Sequence, residues 1–74
     1  MQRFKTITDG MLVVDIAKNE SGYNYFGHIR SNGEWAIMRQ NTAETEYRFK
    51  VGADDYSINW ANRASLSYSL PILS

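Results

Sequence analysis

Hydrophobic and polar positions alternate with a period of two along most of this chain, the spacing of half-buried strands. The clearest stretch is Glu44–Val51, where Thr45, Tyr47, Phe49 and Val51 fall on one side and Glu44, Glu46, Arg48 and Lys50 on the other. This pattern predicts an antiparallel strand with Tyr47, Phe49 and Val51 buried and Glu46, Arg48 and Lys50 in solvent. Upstream, Phe4–Thr8 and Met11–Ala17 flank Asp9-Gly10, a dipeptide suited to the positive φ angles of a two-residue hairpin turn. In the second arm Leu12, Val14 and Ile16 share one face. Lys18–Gly22 reads as a polar loop. Tyr23–Arg30 then forms a strand with Tyr23, Tyr25, Gly27 and Ile29 opposed to Asn24, Phe26, His28 and Arg30. Asn32-Gly33 supplies the positive φ angles of a second hairpin turn. It leads into Glu34–Gln40, where Trp35 and Ile37 alternate with Ala36 and Met38.

The period changes after Gly52. Asp54-Asp55 is a helix N-cap signal, and Tyr56, Trp60 and Ala64 follow at the four-residue spacing of one helical face. A short helix over Asp55–Arg63 is predicted. Leu66, Tyr68 and Leu70 alternate again as a last strand, which Pro71 ends or sets at a sheet edge. The sum is a mainly β fold: a small antiparallel sheet or sandwich of five to six short strands, with one short helix or turn near Asp55–Arg63. One domain covers residues 1–74.

Composition narrows the function. A chain of 74 residues has a small core, burying roughly 60% of the surface its unfolded form exposes. Ten aromatic residues, five Tyr, three Phe and two Trp, offset that shortage, because each buried ring removes about 150–250 Å² from water. Lys plus Arg and Asp plus Glu each total 8, a net charge of zero. That balance argues against nucleic-acid binding driven by bulk charge. There are no cysteines, hence no disulfide framework and no thiolate metal site. The opening MQRFKTITDG lacks the apolar stretch of a signal peptide, and no apolar run reaches membrane-span length. The expectation is a cytosolic protein, or one assembled there.

Little in the chain points to catalysis. His28 is the single histidine, and no nucleophile stands in a recognisable pattern with a base. Asp54-Asp55 lacks the spaced ligands of a calcium loop. No catalytic, cofactor-binding or metal site is expected. Tyr23–Arg30 mixes aromatics with one cation in a way that resembles single-strand binders, but core packing and subunit contact explain it more simply. Trp60 and Arg63, three apart, suit a cation–π pair on a helix. Candidate interface or anchor residues are Tyr23, Tyr25, Phe26, Trp35, Trp60, Arg63 and Tyr68.

Several of these residues fall in a family-like pattern. Tyr23-Asn24-Tyr25-Phe26-Gly27 precedes a Gly turn and Trp35-Ala36-Ile37-Met38-Arg39. Gly52-Ala53-Asp54 follows, and then Trp60-Ala61-Asn62-Arg63-Ala64-Ser65-Leu66-Ser67-Tyr68-Ser69. The chain resembles a group of very short tailed-phage proteins with a Tyr-rich strand, a W-x-I-x-[KR] strand and a W-x-x-R-x-S-L-x-Y ending. The resemblance spans Tyr23–Ser69, about two thirds of the chain. Met38-Arg39 departs from the charged pair common in that group, and Gly52-Ala53-Asp54 stands where Ala-Asp-Gly is expected. The resemblance implies phage origin and supplies no mechanism. Joined to the absence of a catalytic kit, it leads to the expectation of a virion structural protein, assembled in the host cytoplasm. Such a protein decorates the capsid or sits in the head–tail assembly, as a homo-oligomer or in many copies against the major capsid protein or connector. The alternatives are a carbohydrate- or other ligand-binding module of a phage appendage, and a small effector that binds a host protein. Exposure of Trp35 and Trp60 separates the first two: buried rings favour contact between subunits, and a groove of open rings favours a ligand.

Overall fold

Turn chemistry sets the order of the strands. A computed structural model describes residues 10–70. It contains β1 (Leu12–Glu20), β2 (Tyr23–Ile29), β3 (Trp35–Asn41) and β4 (Tyr47–Gly52), followed by helix α1 (Tyr56–Ala61) and a 3-10 turn, Arg63–Ser65. The strands form one open antiparallel sheet in the order β1-β2-β3-β4. The architecture is mainly β with one short helix. Among the described residues it has four strands rather than five or six, and one sheet rather than a sandwich.

The predicted loop Lys18–Gly22 is instead mostly strand. β1 runs to Glu20, and Ser21 and Gly22, at φ 51° and 87°, make the tight connection to Tyr23. Positive φ at both central positions is what a type I′ hairpin turn requires. The β2–β3 hairpin turns where Asn32-Gly33 predicted, by a different route. Only Gly33 has positive φ, 96°. Gly33 N donates to Arg30 O at 2.9 Å and Arg30 N to Glu34 O at 2.8 Å. Asn32 stays in the ordinary region and its side chain accepts from Glu34 N at 3.0 Å. This is the three-residue loop whose last residue is left-handed. The β3–β4 connection is organised by Asn41, whose Oδ1 accepts from Thr45 N and Glu46 N at 2.8 and 3.0 Å. The expected arm Phe4–Thr8, the Asp9 half of its turn and Pro71 lie outside the described residues. The expected last strand is reduced to a single antiparallel bridge between Phe49 and Ser69.

Register assigns the faces, because cross-strand partners point to the same side. One face carries Tyr23, Tyr25, Gly27 and Ile29 of β2 with Trp35, Ile37 and Arg39 of β3. α1 packs on this face: Tyr56, Trp60, Leu66 and Tyr68 lie against Tyr25, Trp35 and Ile37. The opposite face carries Asn24, Phe26 and His28 with Ala36, Met38 and Gln40. It also carries Tyr47, Phe49 and Val51. In β1 a register shift between Val13 and Asp15 breaks the expected common face of Leu12, Val14 and Ile16. Leu12 pairs with Ile29 on the helix side, whereas Ile16 pairs with Phe26 on the other.

The alternation predicted for β4 exists, but its burial is not the predicted one. Tyr47 and Val51 are 43% and 52% exposed, and Phe49 is half-buried. Arg48 and Lys50 are half-buried and Glu46 is exposed. The reason is that α1 lies over β2 and β3 on the face to which β4 turns its cations, while the apolar residues of β4 point to the face that carries no helix among the described residues.

α1 is shorter than the Asp55–Arg63 expected. Asp55 caps it, its Oδ1 accepting from Ile58 N at 3.3 Å. After Ala61 the chain tightens into the 3-10 turn, which leaves Ala64 exposed rather than on a face with Tyr56 and Trp60. Two glycines make room for rings on the covered face. A Cβ on Gly27 would collide with the Tyr56 hydroxyl and touch the Trp60 ring, and a Cβ on Gly52 would press on the Trp35 indole. Trp35 is 1% exposed, and its Nε1–H donates to Asp54 O at 2.8 Å. Burying such a ring contributes roughly 4–6 kcal/mol at about 25 cal/mol/Å² before the entropy cost.

Gly27→Ala should therefore destabilise the domain by about 1–3 kcal/mol, the usual cost of overpacking. Urea unfolding of Gly27→Ala, Tyr56→Phe and the double variant checks the cause. The double variant should be more stable than the sum of the single changes implies, by at least about 0.5 kcal/mol. Strict additivity would show that the hydroxyl is not what Gly27 accommodates.

Candidate functional site

The helix-covered face gathers six of the seven candidate residues: Tyr23, Tyr25, Trp35, Trp60, Arg63 and Tyr68. Phe26 stands apart, paired with Met38 and Ile16 on the opposite face. The gathered rings form a connected aromatic layer. Centroid distances are 6.4 Å for Tyr23–Tyr25, 6.0 Å for Tyr25–Tyr68, 6.3 Å for Trp35–Tyr56 and 6.1 Å for the stacked Tyr56–Trp60 pair. These separations fall in the range that gives aromatic pairs about 0.5–1.5 kcal/mol beyond area burial.

Two arginines bind this layer together in different ways. Arg63 is fully engaged. Its Nε and Nη2 donate to the Glu20 carboxylate at 2.9 and 2.8 Å, and Nη1 donates to Trp60 O at 2.9 Å. Its guanidinium lies 4.6 Å from the Trp60 ring centroid. The bidentate fork joins the end of β1 to the start of the 3-10 turn after α1, 43 residues apart in sequence. Tyr68 closes the turn by donating its hydroxyl to Arg63 O at 2.8 Å. Arg39 lies between two rings, 4.5 Å from the centroid of Tyr23 and 4.8 Å from that of Tyr68.

The ionisations follow from these contacts. The hydrogen bond from Arg63 holds the Glu20 carboxyl below its ordinary 4.5, and the same bond raises Arg63. Burial pushes the Tyr25, Tyr56 and Tyr68 hydroxyls above their ordinary 10.0. For Tyr56 the hydrogen bond to Asp15 Oδ2, 2.8 Å long, adds to the rise.

The opposite face has a polar chain at one end. Asn24 Nδ2 donates to Gln40 Oε1 at 3.0 Å, and Gln40 Nε2 donates to the Tyr47 hydroxyl at 3.2 Å. His28 is buried with Nδ1 3.3 Å from Ala36 O. Toward the β1 and β4 edges this face is apolar and open: Val13, Ile16, Tyr47 and Val51 are exposed. A cleft of about 470 Å³ lies at the sheet end, lined by Met11, Arg30, Glu34, Trp35, Val51 and neighbouring backbone. Its cation is engaged, with Arg30 Nε 2.9 Å from Glu34. Among the described residues no group of three or more His, Asp or Glu side chains could hold a metal ion. No helix of these residues is long and apolar enough to cross a membrane.

Sequence reasoning missed Arg39, Glu20 and Asp15. Arg39 had a signal, since it continues the alternation of Trp35 and Ile37 and so shares their face. Glu20 and Asp15 had none, because their partners lie 43 and 41 residues away.

No protein-family model, curated protein or solved structure matches the chain.

Stability should fall at both pH extremes. Glu20 is lowered on folding, so its contribution is present above about pH 4.5 and is lost as the pH drops through the folded value. The three tyrosines are raised, so theirs is complete below about pH 10.0 and is lost above it. Thermal unfolding across pH checks both limbs. Glu20→Gln should flatten the acid limb and leave most of the alkaline one, because burial is the main cause of the rise at the tyrosines and the Glu20 charge adds only to that at Tyr25.

Proposed function

We propose that the chain is a virion structural component acting through protein–protein contacts in many copies. Capsid decoration or head–tail assembly are the settings favoured by the resemblance to tailed-phage proteins that we infer from its motifs. The observation that carries the reading is the open apolar face, where Val13, Ile16, Tyr47 and Val51 are exposed around half-buried Phe26, Met38 and Phe49. A sheet with one face under a helix, and no second layer among the described residues on the other, gains stability by laying that face on a neighbour.

The size of the face favours an array over an isolated pair. With strands about 4.8 Å apart and about 3.3 Å per residue, four short strands present roughly 400 Å² in projection. A stable interface takes about 800 Å² from each partner. One face-to-face contact is therefore weak, and repeated contacts of several kinds suit the molecule better.

The two tryptophans support the same reading over sugar binding. Trp35 is buried, and the Trp60 ring is engaged by Tyr56 and Arg63. Neither offers the open ring that stacks on a sugar. The reading assigns no catalytic turnover.

Mass spectrometry of purified particles of the encoding phage tests the proposal. The chain should be present in many copies relative to the major capsid protein. Ile16→Glu and Val51→Glu should each abolish incorporation while leaving the circular dichroism of the free chain unchanged. Absence of the wild-type chain from particles overturns the reading. Both variants incorporating normally would remove the sheet face from it.

A further inference from the structure

We propose that Arg39, Arg48 and Lys50 form a binding site for the carboxylates of an extended acidic segment on a partner protein. The class of partner follows from the assembly reading above, and the geometry of the site does not depend on it.

Three features carry the inference. Among the described residues Arg39 is held by cation–π contacts alone. Its guanidinium carbon lies 4.5 and 4.8 Å from the Tyr23 and Tyr68 ring centroids, and none of its N–H groups donates to a described residue. A guanidinium held by cation–π contacts rather than by hydrogen bonds keeps its N–H donors for an oxyanion.

The second feature is an uncompensated pairing. Arg48 stands directly opposite Arg39 in the β3–β4 register, and like charges at such positions are destabilising. Lys50 follows on the same face, opposite Ile37. Among the described residues no carboxylate forms an ion pair with any of the three. Glu46, two residues before Arg48, makes none with it. Elsewhere the chain does pair its arginines, Arg63 with Glu20 and Arg30 with Glu34. The only hydrogen bond of the Arg48 side chain to a described residue is from Nη1 to Tyr47 O, at 3.0 Å. A row of half-buried cations with no ion pair among the described residues breaks a local rule, the mark of a functional position.

The third feature is spacing. Arg48 and Lys50 are alternate residues of one strand, so their backbone positions are about 6.6 Å apart. Acidic residues at alternate positions of an extended segment repeat at the same interval. A nucleic-acid strand fits less well. Single-strand binders need open rings for bases, whereas Tyr23 and Tyr68 already hold the guanidinium between them. The net charge of zero supplies no wider attractive field.

The test is fluorescence anisotropy with three labelled probes: a peptide alternating Glu and Thr, its Gln counterpart, and an oligothymidylate. The Glu peptide should bind, and its affinity should fall as salt rises. Arg39→Lys, which keeps the charge but loses the planar fork, should weaken binding about tenfold, as should Arg48→Gln. Arg48→Gln keeps the test decisive even if changes at Arg39 disturb the tyrosines. Equal binding of the Gln peptide, tighter binding of the oligothymidylate, no binding at all, or indifference to both substitutions would each overturn the proposal. Ile16→Glu separates the two readings. It removes the sheet-face contact and should leave peptide binding intact, so a failure here does not carry over to the assembly proposal.

Discussion

The helix layer rests on a missing side chain. Gly27 sits in the middle of β2 on the covered face, and the Tyr56 hydroxyl occupies the space its Cβ would take. Because that hydroxyl reaches past β2, it meets Asp15 on β1. One bare position thus fixes where α1 lies across three strands. Trp60 then falls beside Tyr56, Arg63 beside Trp60, and Glu20 within reach of Arg63. Displacing the helix by even an ångström would break the Asp15 and Glu20 contacts together, since both hang on the same short segment.

The two sides of the sheet follow different physics. On the helix side, the Arg39 and Arg63 guanidinium groups lie over aromatic rings, and burial raises the ionisation of the Tyr25, Tyr56 and Tyr68 hydroxyls. On the other side, Val13, Ile16 and Val51 lie around the larger Phe26, Met38 and Phe49, with a polar chain of Asn24, Gln40 and Tyr47 at one end. A polar chain at one end of an apolar face limits how a neighbour can sit, because covering it without replacement hydrogen bonds costs about 1–3 kcal/mol per unsatisfied group. The open face is therefore directional, with a dry end and a polar end.

Much of the fold was legible because strands announce themselves by period and turn. Tyr23–Arg30 and Glu34–Gln40 have their faces as the alternation required, and Asn32-Gly33 marks their turn. What was not legible is which face the helix takes. Alternation in β4 separates Tyr47, Phe49 and Val51 from Arg48 and Lys50, but it carries no information about where a second layer lies. The one-residue irregularity at Val13–Asp15 likewise has no local signature, and it moves Leu12 and Ile16 to opposite sides. At the candidate site the aromatic residues were visible from their type and spacing. Their partners Glu20 and Asp15 were not, since a contact across 40 or more residues depends on the docking of α1.

The strand order also shapes how the chain reaches this state. Every strand pairs with its neighbour in sequence, so the sheet is a meander of three successive hairpins. Local pairing keeps loop-closure entropy low and favours rapid folding. Hairpins form in about 1–10 μs. The contacts of Tyr56 with Asp15 and Arg63 with Glu20 close far larger loops than any hairpin does, and they require the Gly27 space to exist first. Zipping of the meander is thus the quick phase, and clasping of its first strand by the helix is the late one. A sheet that has zipped but not been clasped exposes both of its faces, and in that interval a crowded solution of newly made chains is most prone to wrong pairing.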